Sequence, residues 1–137
     1  MGEKVLRARL EEAGLAGAVR VSSVGIGPWH VGDAMDRRAA ATLAGGGYET
    51  EHRARQVDDA DLRADLLLAA TADHADDLRA AGADPGRVRL LRSFDPDAGD
   101  DAEVPDPYFG GPEGFDEVLA MIEAAAPGVV AWARERT

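Results

Sequence analysis

Leu6, Leu10 and Ala13 recur at three- and four-residue spacing among Arg7, Arg9, Glu11 and Glu12, so residues 3–13 predict an amphipathic helix with Gly14 at its C-terminal cap. Val19-Arg20-Val21-Ser22-Ser23-Val24 is a β-branched run stopped by Gly25 and Gly27, which predicts a strand leading into a loop. A second helix is expected from Asp36, its N-cap, to Leu43, with Gly45-Gly46-Gly47 as the stop. Asp58 to Leu62 opens a short helical turn. Asp65-Leu66-Leu67-Leu68-Ala69-Ala70 is almost continuously apolar, the pattern of a strand covered on both faces. Asp73 to Ala81 predicts a helix closed by Gly82, and Arg87 to Leu91 a third strand. Phe115, Val118, Leu119 and Ile122 mark the inner face of a helix over Gly114–Ala126, after which Val129 to Arg134 adds a turn or two. Strands alternating with helices predict an α/β fold with a parallel sheet. The loop from Ser93 to Pro112 then falls at the carboxyl edge, where open α/β sheets bind ligands.

Composition narrows the partners. The 137 residues suit one domain spanning 1–137, and a net charge of −11 leaves no basic surface for nucleic acid or anionic lipid. Apolar residues make up 45% but aromatic residues only 5%, so the core is built from Ala, Leu and Val. No apolar run reaches membrane-spanning length, and the charged start Met1-Gly2-Glu3-Lys4 is unlike a signal peptide, which gives a cytoplasmic expectation. With no cysteine, thiolate metal sites and thiol nucleophiles are excluded from these residues. His30 and His74 have no carboxylates at metal-ligand spacing, and neither a metal nor a cofactor is expected.

Chemistry concentrates in Glu103-Val104-Pro105-Asp106-Pro107-Tyr108-Phe109-Gly110-Gly111. Prolines on both sides of Asp106 bias its carboxylate onto an extended arm, which suits a general acid, although taken alone the run reads more simply as a surface loop whose rings cover the core. Tyr108 and Phe109 beside it offer flat walls for a planar ring. Trp29, among the glycines of residues 25–32, offers another. The triple glycine at 45–47 is no phosphate cradle, because it ends a helix and does not feed one.

Four runs in order resemble the low-molecular-weight protein tyrosine phosphatases: Ser22-Ser23-Val24-Gly25-Ile26-Gly27-Pro28-Trp29-His30-Val31-Gly32, His52-Arg53-Ala54-Arg55-Gln56, Leu90-Leu91-Arg92-Ser93-Phe94-Asp95-Pro96 and Val104-Pro105-Asp106-Pro107-Tyr108-Phe109-Gly110. The resemblance implies a three-layer αβα fold whose parallel sheet has four strands in the order 2-1-3-4. It implies that Asp106 is the general acid that protonates the leaving phenolate, that Trp29, Tyr108 and Phe109 flank the phosphotyrosine ring, and that Ser23 and His52 support the phosphate-binding loop. Its substrates are a phosphorylated protein or a small aryl phosphate, hydrolysed through a cysteinyl-phosphate intermediate without a cofactor.

Two departures stand out. Where the family carries M-D-x-S-N, this chain has Ala70-Thr71-Ala72-Asp73-His74. The family also begins with a strand ending in C-x-x-x-x-x-R-S-P, and the residues after that motif resemble Met1 to Leu6. The sequence is thus expected to be N-terminally truncated, without the first strand, the nucleophile or the phosphate cradle, and inactive as given. Deleting an interior strand leaves the Val19–Val24 and Asp65–Ala70 strands without a ladder partner between them. A non-catalytic binding module is the alternative reading, and an arsenate reductase relative a third, although that chemistry needs additional cysteines. The family pattern leaves open phosphotyrosine against phosphoarginine, and the oligomeric state.

Overall fold

The computed structural model describes residues 1–15, 17–24, 35, 37–51, 56–99, 101–105 and 112–136. In chain order it contains helix α1 (Gly2–Glu12), α2 (Arg37–Gly45), the single turn α3 (Asp59–Leu62), strand β1 (Leu67–Ala69), α4 (Ala72–Ala80), β2 (Val88–Leu90) and α5 (Pro112–Arg136). Turns of 3-10 helix precede and follow β2, at Pro85–Arg87 and Leu91–Phe94.

Helix ends follow from local sequence. After α1, α2 and α4 the chain turns through Gly14, Gly47 and Gly82 at positive φ, and each turn is closed by a five-residue backbone bond: Leu15 N to Leu10 O, Tyr48 N to Leu43 O and Ala83 N to Leu78 O. Helix starts are marked by side chains. Asp58 and Asp61 form a reciprocal capping box on α3, and Thr71 Oγ1 accepts from His74 N on α4.

β1 and β2 pair in parallel, Leu67 opposite Val88 and Ala69 opposite Leu90. The crossover between them is α4. Because side chains alternate along a strand, Leu67 and Ala69 meet α4 in a cluster with Ala75, Leu78, Ala83 and Val88, while Leu68 and Ala70 pack on the opposite side. That second cluster is the main core, where Val5 and Leu6 of α1, Leu43 of α2 and Ile122 and Val129 of α5 come together. Helices on both faces of a parallel sheet make this an α/β fold of three layers.

Two elements differ from the pattern-based expectation. Val19–Val24 forms no strand ladder among the described residues, yet Val19, Val21 and Ser23 are half-buried and Arg20 and Ser22 exposed. The two-residue period of a strand persists there without a partner, because a ladder needs a neighbouring strand and none of the described ones lies beside it. The C-terminal helix does not stop at Ala126. It runs unbroken through Pro127 to Arg136. A proline inside a helix costs about 3 kcal/mol. Here Pro127 sits on the exposed side, and burial of Ala125, Ala126, Val129 and Ala133 on the other side offsets the loss.

Candidate functional site

Asp106, Trp29, Tyr108, Phe109 and His52 lie outside the described residues, as does the N-cap expected at Asp36. The described geometry is that of Ser23 and of the stem that precedes Asp106 in the chain.

Ser23 ends the extended segment after α1 and is held from the helix it faces. Its hydroxyl donates to Glu3 Oε1 at 2.9 Å. The other oxygen of Glu3 lies 3.2 Å from Arg7 Nη2 and 3.5 Å from Lys4 Nζ, and Arg7 Nη2 also donates to Val21 O at 2.8 Å. The side chains of Lys4 and Glu3 are 7% and 11% exposed, so this pair is largely withdrawn from water, while Arg7 at its edge is 40% exposed. Burial pushes the Glu3 carboxyl up, but the Ser23 hydroxyl, Arg7 and Lys4 together outweigh it and hold the group below its ordinary value. Sequence reading missed Glu3, since nothing near it signals a partner 20 residues away.

The stem is Glu103-Val104-Pro105. Val104 is buried in the main core, and its N–H donates to Ala70 O, just past β1, at 2.8 Å. The Glu103 carboxylate accepts from Ala72 N in the first turn of α4, and the Glu103 carbonyl accepts from Arg92 Nη1 at 3.0 Å. Arg92 belongs to the 3-10 turn after β2, where Ser93 Oγ donates to Leu90 O at 2.6 Å. The carboxyl ends of both strands therefore converge on this stem, which places the base of the Asp106 arm at the edge where such sheets hold ligands.

A further polar group joins α1, α5 and the turn after α2. Tyr48 donates to Glu123 Oε2 at 2.6 Å and accepts from Arg9 Nη2 at 2.9 Å, with the Arg9 guanidinium 5.9 Å from the ring centre. Burial and the Glu123 carboxylate raise the phenol above its ordinary value. Surface concavities lie between the end of α1 and α5, around Arg9, Ala13 and Pro127, and along α1 against Gly17 to Val21. Neither includes the stem. No group of three or more metal-ligating side chains occurs among the described residues, and among them no helix is long and apolar enough to cross a membrane.

The sequence matches the family described as low molecular weight phosphotyrosine protein phosphatase over residues 1–136. Low molecular weight protein-tyrosine phosphatase A of Mycobacterium tuberculosis is 50% identical over 137 residues, covering 99% of this chain and 84% of that protein. The low molecular weight protein-tyrosine-phosphatase of Streptomyces coelicolor is 48% identical over 141 residues, covering 99% of this chain and 86% of the relative. Among solved structures, YfkJ from Bacillus subtilis superposes with a TM-score of 0.87 at 27% identity, covering 99% of this chain and 86% of that one. A protein tyrosine phosphatase from Entamoeba histolytica gives a TM-score of 0.91 at 24% identity, over 98% of this chain and 87% of the other, a likeness of fold. The match across nearly the whole sequence, joined to a parallel α/β fold whose strand ends converge on the Glu103–Pro105 stem, establishes that the chain belongs to the low molecular weight phosphotyrosine protein phosphatase family.

Proposed function

We propose that these residues form the leaving-group half of a phosphotyrosine phosphatase site within a single cytoplasmic domain spanning 1–137, acting on a phosphorylated protein or a small aryl phosphate. In this reading Trp29, Tyr108 and Phe109 wall the aryl ring, while Ser23 and His52 support the loop that holds the phosphate. A thiolate from a C-x-x-x-x-x-R-S-P segment attacks phosphorus. The P–O bond to the ring breaks as the S–P bond forms, its electron pair goes to the phenol oxygen, and Asp106 delivers the proton. Water then cleaves the cysteinyl phosphate and returns a proton to Asp106. The observation that carries the reading is the family match over residues 1–136 together with Asp106 between two prolines.

Because the sequence contains no cysteine, the 137 residues alone are expected to be inactive. Aryl phosphate hydrolysis by the purified chain should not exceed a blank. Turnover that is lost in Asp106→Asn would reveal another nucleophile and overturn this assignment. With a C-x-x-x-x-x-R-S-P segment ahead of Met1, Asp106→Ala should lower kcat by about a hundred- to ten-thousandfold with KM nearly unchanged.

The missing cysteine also favours a second reading, a non-catalytic module that binds phosphorylated ligands. Titration of the 137-residue chain with a phosphotyrosine peptide separates the two. Saturable, phosphate-dependent binding without turnover supports the module, and no binding by a chain that circular dichroism shows to be folded counts against it.

A further inference from the structure

The stem of the Asp106 arm is tied at more points than a surface loop requires. Val104 anchors it by burial and by its bond to Ala70 O. Glu103 is itself exposed, yet its side chain and its carbonyl are engaged in different directions, the first by Ala72 N and the second by Arg92 Nη1. Pro105 follows with its φ fixed by the ring, which leaves its ψ as the one soft torsion between the tied Glu103–Val104 segment and the residue that follows. Arg92 is committed to the same place. Its Nε is buried and has no hydrogen-bond partner among the described residues, which is a cost to the fold unless holding the guanidinium there serves another end. The guanidinium donates to the backbone carbonyl of Glu103.

We infer that Arg92 and Glu103 are positioning residues for proton transfer, forming a two-sided clamp that joins the 3-10 turn after β2 and the start of α4 to the base of the Asp106 arm. This rests on Asp106 being the general acid. The clamp touches neither substrate nor the reacting atoms. Its effect is on where the carboxyl sits: a displacement of about 1 Å in a reacting group can cost on the order of a hundredfold in rate, even when the change is made at a distance. A clamp of this kind matters only for substrates that need their leaving group protonated. Phenols of low pKa depart as anions, whereas phenols of high pKa require the proton.

The test uses the phosphatase that carries these 137 residues behind a C-x-x-x-x-x-R-S-P segment, assayed for kcat/KM on two aryl phosphates, one with a dinitrophenol and one with an unsubstituted phenol as leaving group. Arg92→Met and Glu103→Ala should each lower kcat/KM about tenfold on phenyl phosphate and less than about twofold on the dinitrophenyl ester. Glu103→Gln, which keeps a side-chain acceptor for Ala72 N, should recover most of the loss. In an Asp106→Ala background neither substitution should have a further effect. Equal losses on both esters, losses that persist without Asp106, or no loss at all would overturn the clamp. An Asp106→Ala variant that slows both esters alike would instead sink the general-acid assignment, and this inference with it. Circular dichroism of each variant identifies any that fails to fold, and for such a site Arg92→Lys, or Glu103→Asp with its carboxylate one carbon short of Ala72 N, decides by the same ester comparison.

Discussion

Burial acts on the Glu3 carboxyl in the opposite sense to its neighbours: it favours the neutral form, while the Ser23 hydroxyl, Arg7 and Lys4 favour the charged one and prevail. A carboxyl depressed in the folded state stabilises the fold in full above its ordinary value, here near 4.5, and that contribution is lost as pH falls through the lower folded value. Glu3→Gln should therefore flatten the acid limb of the stability profile below about pH 4.5, measured as denaturant midpoint against pH in a chain with a C-x-x-x-x-x-R-S-P segment placed ahead of Met1. Profiles of equal slope would show that the cluster does not couple to folding. Ser23 was legible as a candidate from its motif. Its partner was not, because Glu3 reads along the chain as one more charged residue on an amphipathic helix, and only the packing of α1 against the extended segment gives it a role.

Among the elements, α5 departs furthest from what local sequence suggests. Pro127-Gly128 has the appearance of a helix end, yet it lies inside the helix at the point where α5 crosses the 3-10 turn after β2. A Cβ added at Gly128 would fall 2.3 Å from the Phe94 carbonyl oxygen, closer than atoms pack, so the glycine is there to let two backbones approach. Gly128→Ala should destabilise the fold by about 1–3 kcal/mol, the usual cost of overpacking, although alanine is the better helix former. Gly2→Ala in α1, where a Cβ meets nothing within 4 Å, is the control and should be neutral or stabilising. A stabilised Gly128→Ala protein in urea unfolding would refute the close approach. The shorter elements were more legible, since the apolar runs around β1 and β2 and the glycines after α1, α2 and α4 are signals read within a few residues.

For the whole molecule, the described sheet consists of two strands of three residues, with Val19–Val24 extended but unladdered. A two-stranded sheet draws little stability from itself. The main core of α1, α2 and α5 carries most of the burial, and among the described residues the Val19–Val24 segment has no ladder partner, although Val19 N–H and Val21 O are bonded to Leu15 O and Arg7 Nη2. The 137-residue chain made alone is expected to lack a cooperative thermal transition and to associate through that segment, and to gain a sharp transition when a C-x-x-x-x-x-R-S-P segment precedes it. A monomer of the 137 residues that melts cooperatively and shows dispersed amide signals would contradict this.

By itself the sequence determined the alternation of helices with apolar strand-like runs, the glycines at which helices end, the prolines on either side of Asp106 and, through its lack of cysteine, the absence of a thiol nucleophile among these residues. These are local properties, governed by backbone preferences and side-chain periodicity over a turn or a strand. Only the tertiary structure decided that Glu3 holds Ser23, that Arg92 and Ala72 hold Glu103, that Arg9 meets Glu123 across 114 positions, and that Gly128 makes room for Phe94. Such contacts depend on which surfaces packing brings together. No preference acting over a few residues can specify a partner that becomes a neighbour only once the layers have assembled.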